Sequence, residues 1–241
     1  MVLIHAAGLD LTYWDVQIAA LSVDHDVVAF DLPGHGRSAG TAEDWSMDRI
    51  GTIAGRISTS IGVERVHLVG ISLGGMVAQA CALAQPSRVA SMTLIDTAAT
   101  FPDGARTGMR TRAATVRAEG MAAAIEPMIA PWFTAETVAA RPELLDRIRK
   151  TLLADDPTLQ GAMWDLIAEF EALEALASVA CPTLVIVGDR DEVTPVAAAV
   201  TLRDAVPEAD LRVVANAAHL ATLERPEIVN GQVLSFLATI P

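Results

Sequence analysis

Residues 66–75 read Val-His-Leu-Val-Gly-Ile-Ser-Leu-Gly-Gly, and this stretch decides how the chain is expected to fold. Its opening run is short and mainly apolar, as is typical of a buried strand. A helical pattern follows over Leu73–Gln85, and Pro86 ends it. The motif Gly-x-Ser-x-Gly between a strand and a helix predicts a tight turn that strains the serine backbone and projects its hydroxyl above the strand. Ser72 is therefore the candidate nucleophile.

Parallel strands buried between helices are predicted on both sides of this turn. Short apolar runs alternate with longer helical patterns, which favours a parallel sheet covered on both faces. The chain of 241 residues is long enough for a single α/β domain of this kind. The predicted strands are Val2–His5, Val27–Asp31, Val66–Val69, Met92–Ile95, Thr183–Val187 and Leu211–Val214. The predicted helices are Asp48–Ile61, Leu73–Gln85, Val196–Val206 and Pro226–Leu237.

One interval interrupts this alternation of strands and helices. From Thr97 to about Ser178 the pattern is helical and is broken only by prolines. We interpret this helical insertion between two strands as a cap over the site. The chain then divides into a core of residues 1–96 and 179–241 and a cap of residues 97–178. A helical subdomain with no part in the site is the alternative.

A serine hydroxyl needs a base and an orienting acid before it can act as a nucleophile. In sheets with this serine turn, the acid and the histidine follow the serine in that order along the chain. Asp189, Asp191 and Glu192 share the loop after the strand Thr183–Val187, and Asp191 is preferred over Asp189 as the acid. His219 is the candidate base, because no other histidine follows that loop.

Two backbone N–H groups are needed to bind the negative charge that develops on the substrate oxygen. Leu73 supplies one of them by position, because it directly follows the candidate nucleophile. The loop after the first strand, His5–Gly8, supplies the other, and Ala7 is the candidate donor. His5 itself is expected to shape that loop.

The composition narrows the class of ligand. The formal charge is −13, which argues against nucleic acids and anionic membranes, because a phosphate backbone requires a basic face. No apolar run reaches the roughly 18 residues that a membrane-spanning helix requires. Cys81 and Cys181 lie in apolar contexts, so neither a disulfide nor a metal cluster is expected, and a reducing cytoplasm fits. We predict no cofactor and no metal, and a small-molecule substrate as the partner.

Several stretches together carry a resemblance to a known family. They are Gly8–Asp15, Gly34–Ser38, Gly70–Gly75, Asp96–Ala99, Pro131–Phe133, Pro182–Gly188 and His219–Pro226. The sequence resembles the α/β-hydrolase superfamily over essentially the whole chain, and within it is most similar to the 3-oxoadipate enol-lactone hydrolases. This resemblance favours Asp191, because the family's acid commonly stands three residues after the glycine that ends its strand.

The resemblance implies an α/β-hydrolase fold with a mostly parallel sheet of about six strands and a helical cap. It also implies a serine hydrolase that cleaves a small lactone or carboxylic ester through an acyl-enzyme, with 3-oxoadipate enol-lactone as one candidate substrate. A carbon–carbon bond hydrolase or a perhydrolase with the same three residues is an alternative. A ligand receptor without turnover on the same fold is another.

The chain departs from the family pattern at three places. Relatives usually begin with an antiparallel hairpin, whereas this sequence starts directly on the first predicted parallel strand; an uncovered sheet edge would favour association into a homo-oligomer. Ala217 and Ala218 precede His219, where a glycine is common. Met163 and Trp164 stand where the lactonases tend to have a tyrosine and small residues, which leaves the substrate open.

An anionic substrate would need a counter-charge on a protein this acidic. Arg106, Arg110, Arg112 and Arg117 occur between Asp103 and Glu119 with no acid among them. Arg106 and Arg110 are one helical turn apart, which makes them candidates for binding a substrate carboxylate; a solvated basic face is the alternative. Trp132, Phe133 and Trp164 are candidates for the apolar wall of the pocket, although packing between cap and core would use them equally well.

Overall fold

A parallel sheet of six strands forms the centre of the molecule in the computed structural model, which describes residues 1–240. The strands are β1 (Val2–Ile4), β2 (Val28–Phe30), β3 (Val66–Ile71), β4 (Val89–Ile95), β5 (Thr183–Gly188) and β6 (Asp210–Val214). Their order across the sheet is β2-β1-β3-β4-β5-β6, and every neighbouring pair is parallel. β5 is buried along its whole length, as expected for a strand with helices on both faces.

Helices fill the connections between the strands. The α-helices are α1 (Asp15–Leu21), α2 (Met47–Ile50), α3 (Ile53–Ser60), α4 (Leu73–Ala84), α5 (Asp103–Glu119), α6 (Ile125–Ile129), α7 (Ala135–Ala140), α8 (Pro142–Leu153), α9 (Pro157–Glu169), α10 (Val196–Ala205), α11 (Ala221–Glu224) and α12 (Pro226–Leu237). Short 3-10 helices occupy Leu11–Trp14, Ala42–Asp44, Pro86–Arg88, Met121–Ala123, Ala130–Trp132 and Ala175–Ser178. α1 packs against α12, and α2 and α3 pack against α4.

All six strands lie where the sequence predicts them, but one helix differs. The helix expected over Asp48–Ile61 is two helices, because α2 ends at Ile50 and α3 begins at Ile53. Gly51 lies between them and packs closely on the end of α4: a Cβ there would be 2.9 Å from the Cβ of Ala84. The helical pattern breaks at this glycine, a residue with a low helix propensity.

The winding of the sheet reverses at β1. From β1 the chain first adds β2 on one side and later returns to add β3 on the other side. In open α/β sheets such a reversal opens a crevice at the carboxyl ends of the two strands, and ligands bind there. The loop after β1 and the turn after β3 meet at this crevice, since Gly74 lies directly against the Ile4 carbonyl.

The segment between β4 and β5, residues 97–178, contains α5 to α9 and no strand. Its longest helix, α5, packs along α9. The segment lies over the crevice, because side chains from α5, α6 and α9 line the same cavity as Ser72. No helix within residues 1–240 combines the length and the apolar character that crossing a bilayer would require.

Candidate active site

Ser72 sits in a strained turn between β3 and α4. Its φ is +52° and its ψ is −117°, a conformation that L-residues rarely adopt. Two glycines make the turn possible: a Cβ on Gly74 would lie 2.0 Å from the Ile4 carbonyl oxygen, and one on Gly70 would lie 2.2 Å from the Gly74 oxygen. The Ser72 N–H donates to the Ile95 carbonyl oxygen at 2.9 Å, which fixes the strained peptide to the neighbouring strand.

A continuous hydrogen-bonded chain joins Ser72, His219 and Asp191. The Ser72 Oγ lies 3.0 Å from the His219 Nε2, although the two residues are 147 positions apart. The His219 Nδ1 lies 2.9 Å from the Asp191 Oδ2, and both side chains are buried. An ionised carboxylate only accepts hydrogen bonds, so Nδ1 carries the proton in neutral His219. Nε2 is then the acceptor that faces the serine hydroxyl.

The loop after β5, residues 189–195 (the acid loop), holds the Asp191 carboxylate in its ionised form. Its Oδ1 accepts from the backbone N–H groups of Val193 and Thr194 at 2.8 and 2.9 Å, and its Oδ2 accepts from the Thr194 hydroxyl at 2.8 Å. Burial alone would raise the pKa of the Asp191 carboxyl, but the interactions with His219 and Thr194 outweigh it and hold this pKa below its usual value. Asp189 is exposed and accepts from the Ala217 N–H instead, at 3.3 Å.

A second buried carboxyl group joins the start of the acid loop to the end of the loop that carries His219, residues 215–220 (the histidine loop). Asp96 follows β4, and its Oδ1 accepts from the Gly188 N–H at 2.9 Å while its Oδ2 accepts from the Ala221 N–H at 3.1 Å. Burial, followed by the nearby charge of Asp191, raises the pKa of the Asp96 carboxyl well above its usual value. Asp96 therefore fixes the spacing between the two loops that bring Asp191 and His219 together.

Glu224 joins the histidine loop to the helical segment above it. Its Oε2 accepts from the Ala218 N–H at 2.6 Å, and its Oε1 accepts from the Thr134 N–H at 2.9 Å and the Thr134 hydroxyl at 2.6 Å. The Leu220 N–H donates to the Trp132 carbonyl oxygen at 3.1 Å and adds a second connection. The wall of the cavity and the histidine loop are thus held as one unit.

The two amides expected to bind an oxyanion flank Ser72. Ala7 lines the same cavity as Ser72, and Leu73 is the next residue along the chain. Among the described residues 1–240, neither of these N–H groups has a hydrogen-bond acceptor. Both donors are therefore available to an oxygen atom of a bound molecule.

Two buried histidines shape the loop that carries Ala7. The His35 Nε2 accepts from the Gly8 N–H at 3.1 Å, and the His5 Nε2 accepts from the Leu32 N–H at 2.9 Å. Burial lowers the pKa of His5 to about 4 and that of His35 to about 3, so both rings are neutral acceptors near pH 7. The structure places His5 in the structural role that the sequence predicts.

A cavity lies above Ser72 and His219. Trp132 and Trp164 line it, as the sequence predicts for the apolar wall, and the Trp132 ring centroid is 6.5 Å from that of His219. Phe133 is buried beside the cavity but does not line it. Its position fits packing between the helical segment and the core, the alternative that the sequence left open.

Arg106 does not reach the cavity, contrary to the prediction from its helical spacing. Its guanidinium donates to the carbonyl oxygens of Phe101 and Ala168, each at 2.7 Å, and to the Glu171 carboxylate at 2.8 Å. These bonds join the start of α5 to the end of α9. The side chain is therefore fully used in holding the helical segment together.

Arg110 also lies outside the cavity and is exposed, whereas Arg112 lines it. Sequence reasoning missed Arg112 because it grouped the arginines by their mutual spacing. Relative to the apolar stripe Met109, Ala113 and Val116, which has the spacing of one helix face, Arg106 and Arg112 lie on opposite borders, so the sequence does not single out Arg112. Arg112 borders that stripe, and Ala113 and Val116 are buried.

The chain of hydroxyl, imidazole and carboxylate can activate a serine for attack on an acyl carbon. Within residues 1–240 no group of three or more His, Cys, Asp or Glu side chains is arranged to hold a metal ion. The chain matches the sequence model of the Alpha/beta hydrolase family over residues 1–232, so it belongs to the α/β-hydrolase family and is a hydrolase. The fold class and the family resemblance predicted from the sequence are confirmed.

Three proteins of known or described activity are similar to this chain over most of its length. The 3-oxoadipate enol-lactonase 2 of Acinetobacter baylyi is 27% identical over 229 residues, which cover 95% of this chain and 85% of that protein. The crystal structure of the enol-lactonase from Burkholderia xenovorans LB400 is 27% identical, with a TM-score of 0.90 and coverage of 98% and 90%. A thermophilic esterase from Thermogutta terrifontis, in a malate-bound structure, is 29% identical, with a TM-score of 0.92 and coverage of 99% and 89%.

Proposed function

We propose that this protein is a serine hydrolase that cleaves a small lactone or carboxylic ester through an acyl-enzyme. The observation that carries the proposal is the unbroken chain from Asp191 through His219 to Ser72, at the floor of a cavity. In this proposal Ser72 is the nucleophile, His219 the general base and acid, and Asp191 the residue that fixes the imidazole.

The proposed reaction has two halves. His219 Nε2 takes the hydroxyl proton as Ser72 Oγ attacks the acyl carbon, and the N–H groups of Ala7 and Leu73 bind the negative oxygen. His219 then protonates the leaving oxygen as its bond to the acyl carbon breaks. Water repeats the sequence on the acyl-enzyme, with His219 taking the proton of water and returning it to Ser72. In a lactone the leaving oxygen stays tethered, so the product is one molecule with a new carboxylate.

Enol-lactones are the substrate class that the similar proteins favour. Two of those three are enol-lactonases, and the third is an esterase bound to malate, a dicarboxylate. The cavity is lined mainly by apolar side chains with a few polar groups, as is usual for small-molecule sites. We infer a small enol-lactone as substrate, with 3-oxoadipate enol-lactone as the candidate. When the leaving oxygen is an enol, its conversion to a ketone makes ring opening effectively irreversible.

We also propose that residues 97–178 act as a cap on a core of residues 1–96 and 179–241. Side chains from this segment form the upper wall of the cavity, which supports a role in excluding water and selecting the substrate. The proposed setting is the cytoplasm, with a small molecule as partner. Two free cysteines without a disulfide fit a reducing compartment.

A fluorophosphonate probe tests the proposed function directly, because it labels only serines that are activated by a base. We expect labelling of the wild type, none of Ser72→Ala, and slow labelling of His219→Ala. Ser60→Ala removes an exposed serine on α3 and serves as the matched control that keeps full labelling. Labelling that persists in Ser72→Ala, or a wild type that neither reacts nor hydrolyses 4-nitrophenyl acetate, would show that the proposal is wrong.

A further inference from the structure

We propose that Arg112 binds a carboxylate carried by the substrate, so that the preferred substrates are esters or lactones with one negative charge in the acyl part. This inference rests on the proposed hydrolase function and adds the class of substrate to it. It replaces the pair Arg106 and Arg110 that the sequence suggested, because neither of those side chains lines the cavity.

The guanidinium of Arg112 is oriented by an aromatic ring. Its Cζ lies 4.4 Å from the ring centroid of Trp164, and both side chains line the cavity that holds Ser72. A guanidinium stacked on an aromatic ring contacts the ring with its flat face. The N–H groups of the guanidinium point outward in the guanidinium plane, so they can still donate to other acceptors. Arg112 is thus positioned with free donors at the site where the substrate must sit.

In the described part of the chain Arg112 has no anionic partner, unlike four other arginines of the helical segment; Arg110 and Arg141 also lack one. In the helical segment, Arg106 pairs with Glu171, Arg117 with Asp165, and Arg147 and Arg149 also form ion pairs with carboxylates. Within residues 1–240, no hydrogen bond or ion pair uses the Arg112 guanidinium. Burial lowers the pKa of Arg112, yet an arginine stays protonated in proteins, so the cavity contains a cation without a counter-ion.

The rest of the cavity favours a single carboxylate over a phosphate group. The other lining residues are mostly apolar, and Arg112 is the one lysine or arginine among them in the described chain. One guanidinium matches the two oxygens and the single charge of a carboxylate, with two parallel N–H···O bonds. A phosphate dianion would bring a second charge into a protein whose formal charge is already −13.

A series of paired 4-nitrophenyl esters tests this inference. Each anionic member is the mono-4-nitrophenyl ester of succinate, glutarate or adipate, and its neutral partner carries a methyl ester in place of the free carboxylate. The release of 4-nitrophenolate measures kcat and KM for cleavage of the same bond in both members. The three chain lengths place the carboxylate at different distances from Ser72, so the comparison does not depend on one assumed span.

We expect the wild type to prefer the anionic member of at least one pair. Arg112→Met keeps the length of the side chain and removes its charge, so it should lower kcat/KM for that member by about 10- to 100-fold, mainly through KM. It should leave the neutral partner nearly unchanged, and Arg112→Lys should recover part of the loss. Arg110→Met, on the same helix but exposed and outside the cavity, should change neither member.

Binding measured without turnover separates this inference from the proposed function. Calorimetry on Ser72→Ala should show binding of monomethyl adipate, loss of that binding in Ser72→Ala/Arg112→Met, and much weaker binding of dimethyl adipate. Equal kcat/KM for both members of every pair in the wild type, together with binding that does not depend on Arg112, would overturn the inference while the hydrolase proposal stands. An unlabelled, inactive wild type whose carboxylate binding does depend on Arg112 would overturn only the hydrolase proposal.

Discussion

At the scale of single residues, the Asp191 carboxylate accepts one hydrogen bond from His219 and three more from donors of the acid loop. The donors on the acid loop and His219 outweigh the cost of burial, which keeps the carboxylate charged and accepting. A charged acceptor at His219 Nδ1 does two things: it selects the tautomer with a free Nε2, and it stabilises the imidazolium that forms when the proton leaves Ser72.

Asp191→Asn should therefore damage catalysis far more than it damages the fold. An amide can replace the shape of the carboxylate, but it offers an N–H to the ring and favours the wrong tautomer, with an expected loss in kcat of about 10⁴. Asp189→Asn makes the same chemical change two residues away on the exposed part of the loop and should have little effect. The measurement is kcat with a 4-nitrophenyl ester for both variants; a larger loss in Asp189→Asn would assign the acid to Asp189.

The order of Ser72, an acid loop and His219 is readable from the sequence because each residue directly follows a strand or its turn. The supporting carboxylates are not readable in this way. Asp96 and Glu224 bind backbone N–H groups that are 92 and 90 positions away, and any residue supplies such a donor. Their partners depend on how the loops meet in three dimensions, and no pattern of residue types marks them.

At the scale of elements, the turn between β3 and α4 depends on close contact between backbones. A Cβ at Gly74 would collide with the Ile4 carbonyl, which belongs to β1 and cannot move without disturbing the sheet. The turn therefore connects the position of the nucleophile with the position of the loop that follows β1.

Gly74→Ala should destabilise the protein by more than about 2 kcal/mol, because it forces a rigid backbone contact apart. Gly108→Ala is the matched change within α5, where a Cβ would meet nothing within 4 Å. There the methyl group should stabilise the helix by about 0.5–1 kcal/mol. Urea unfolding of both variants measures the difference, and similar changes for the two glycines would contradict the proposed role of the contact at Gly74.

The sheet is predictable from the sequence at this scale, and the packing of the helical segment 97–178 is not. Buried strands such as β5 are short continuous apolar runs, and their parallel order follows from the helical connections between them. The helices α5 to α9 carry recognisable patterns too, but their packing depends on contacts such as the bonds of Arg106 to the end of α9. Helix spacing alone therefore predicted the wrong arginines as residues that line the cavity.

At the scale of the whole molecule, the buried Gln160 amide connects the Asp155 carboxyl group to His35, beside the loop of Ala7. The Asp155 Oδ2 accepts from the Gln160 Nε2 at 2.8 Å, and the same nitrogen lies 3.2 Å from the Nε2 of His35. Burial, followed by the nearby charge of Asp10, raises the pKa of the Asp155 carboxyl from 3.8 to about 8. Near neutral pH this carboxyl is therefore mainly protonated in the folded protein.

This raised pKa makes the stability of the protein depend on pH. In the folded state Asp155 keeps its proton up to a pH of about 8, whereas in the unfolded chain it releases it near the usual value of 3.8. Between these values the folded state binds more protons, so the free energy of unfolding falls as pH rises through this window. Below pH 4 the contribution of Asp155 is complete, and above pH 8 it is lost.

Asp155→Asn should flatten this dependence, because an amide does not ionise. We expect the Tm of the wild type to fall more than that of the variant between pH 5 and pH 9, by several degrees, since 1 kcal/mol corresponds to about 2–4 °C in a chain of this size. Asp24→Asn, in an exposed loop, controls for the loss of one negative charge. Parallel Tm curves for the wild type and Asp155→Asn would show that Asp155 does not contribute.

The distance along the chain between Ser72 and His219 also sets an order of events during synthesis. At roughly 5–20 residues per second, the 147 positions that separate them correspond to on the order of ten seconds of synthesis. Throughout that time the serine has no base, because its histidine follows β6, the last strand to join the sheet. Under the proposed mechanism, a nascent or truncated chain that lacks His219 has an unreactive serine. Ser72 becomes reactive only when the fold is complete.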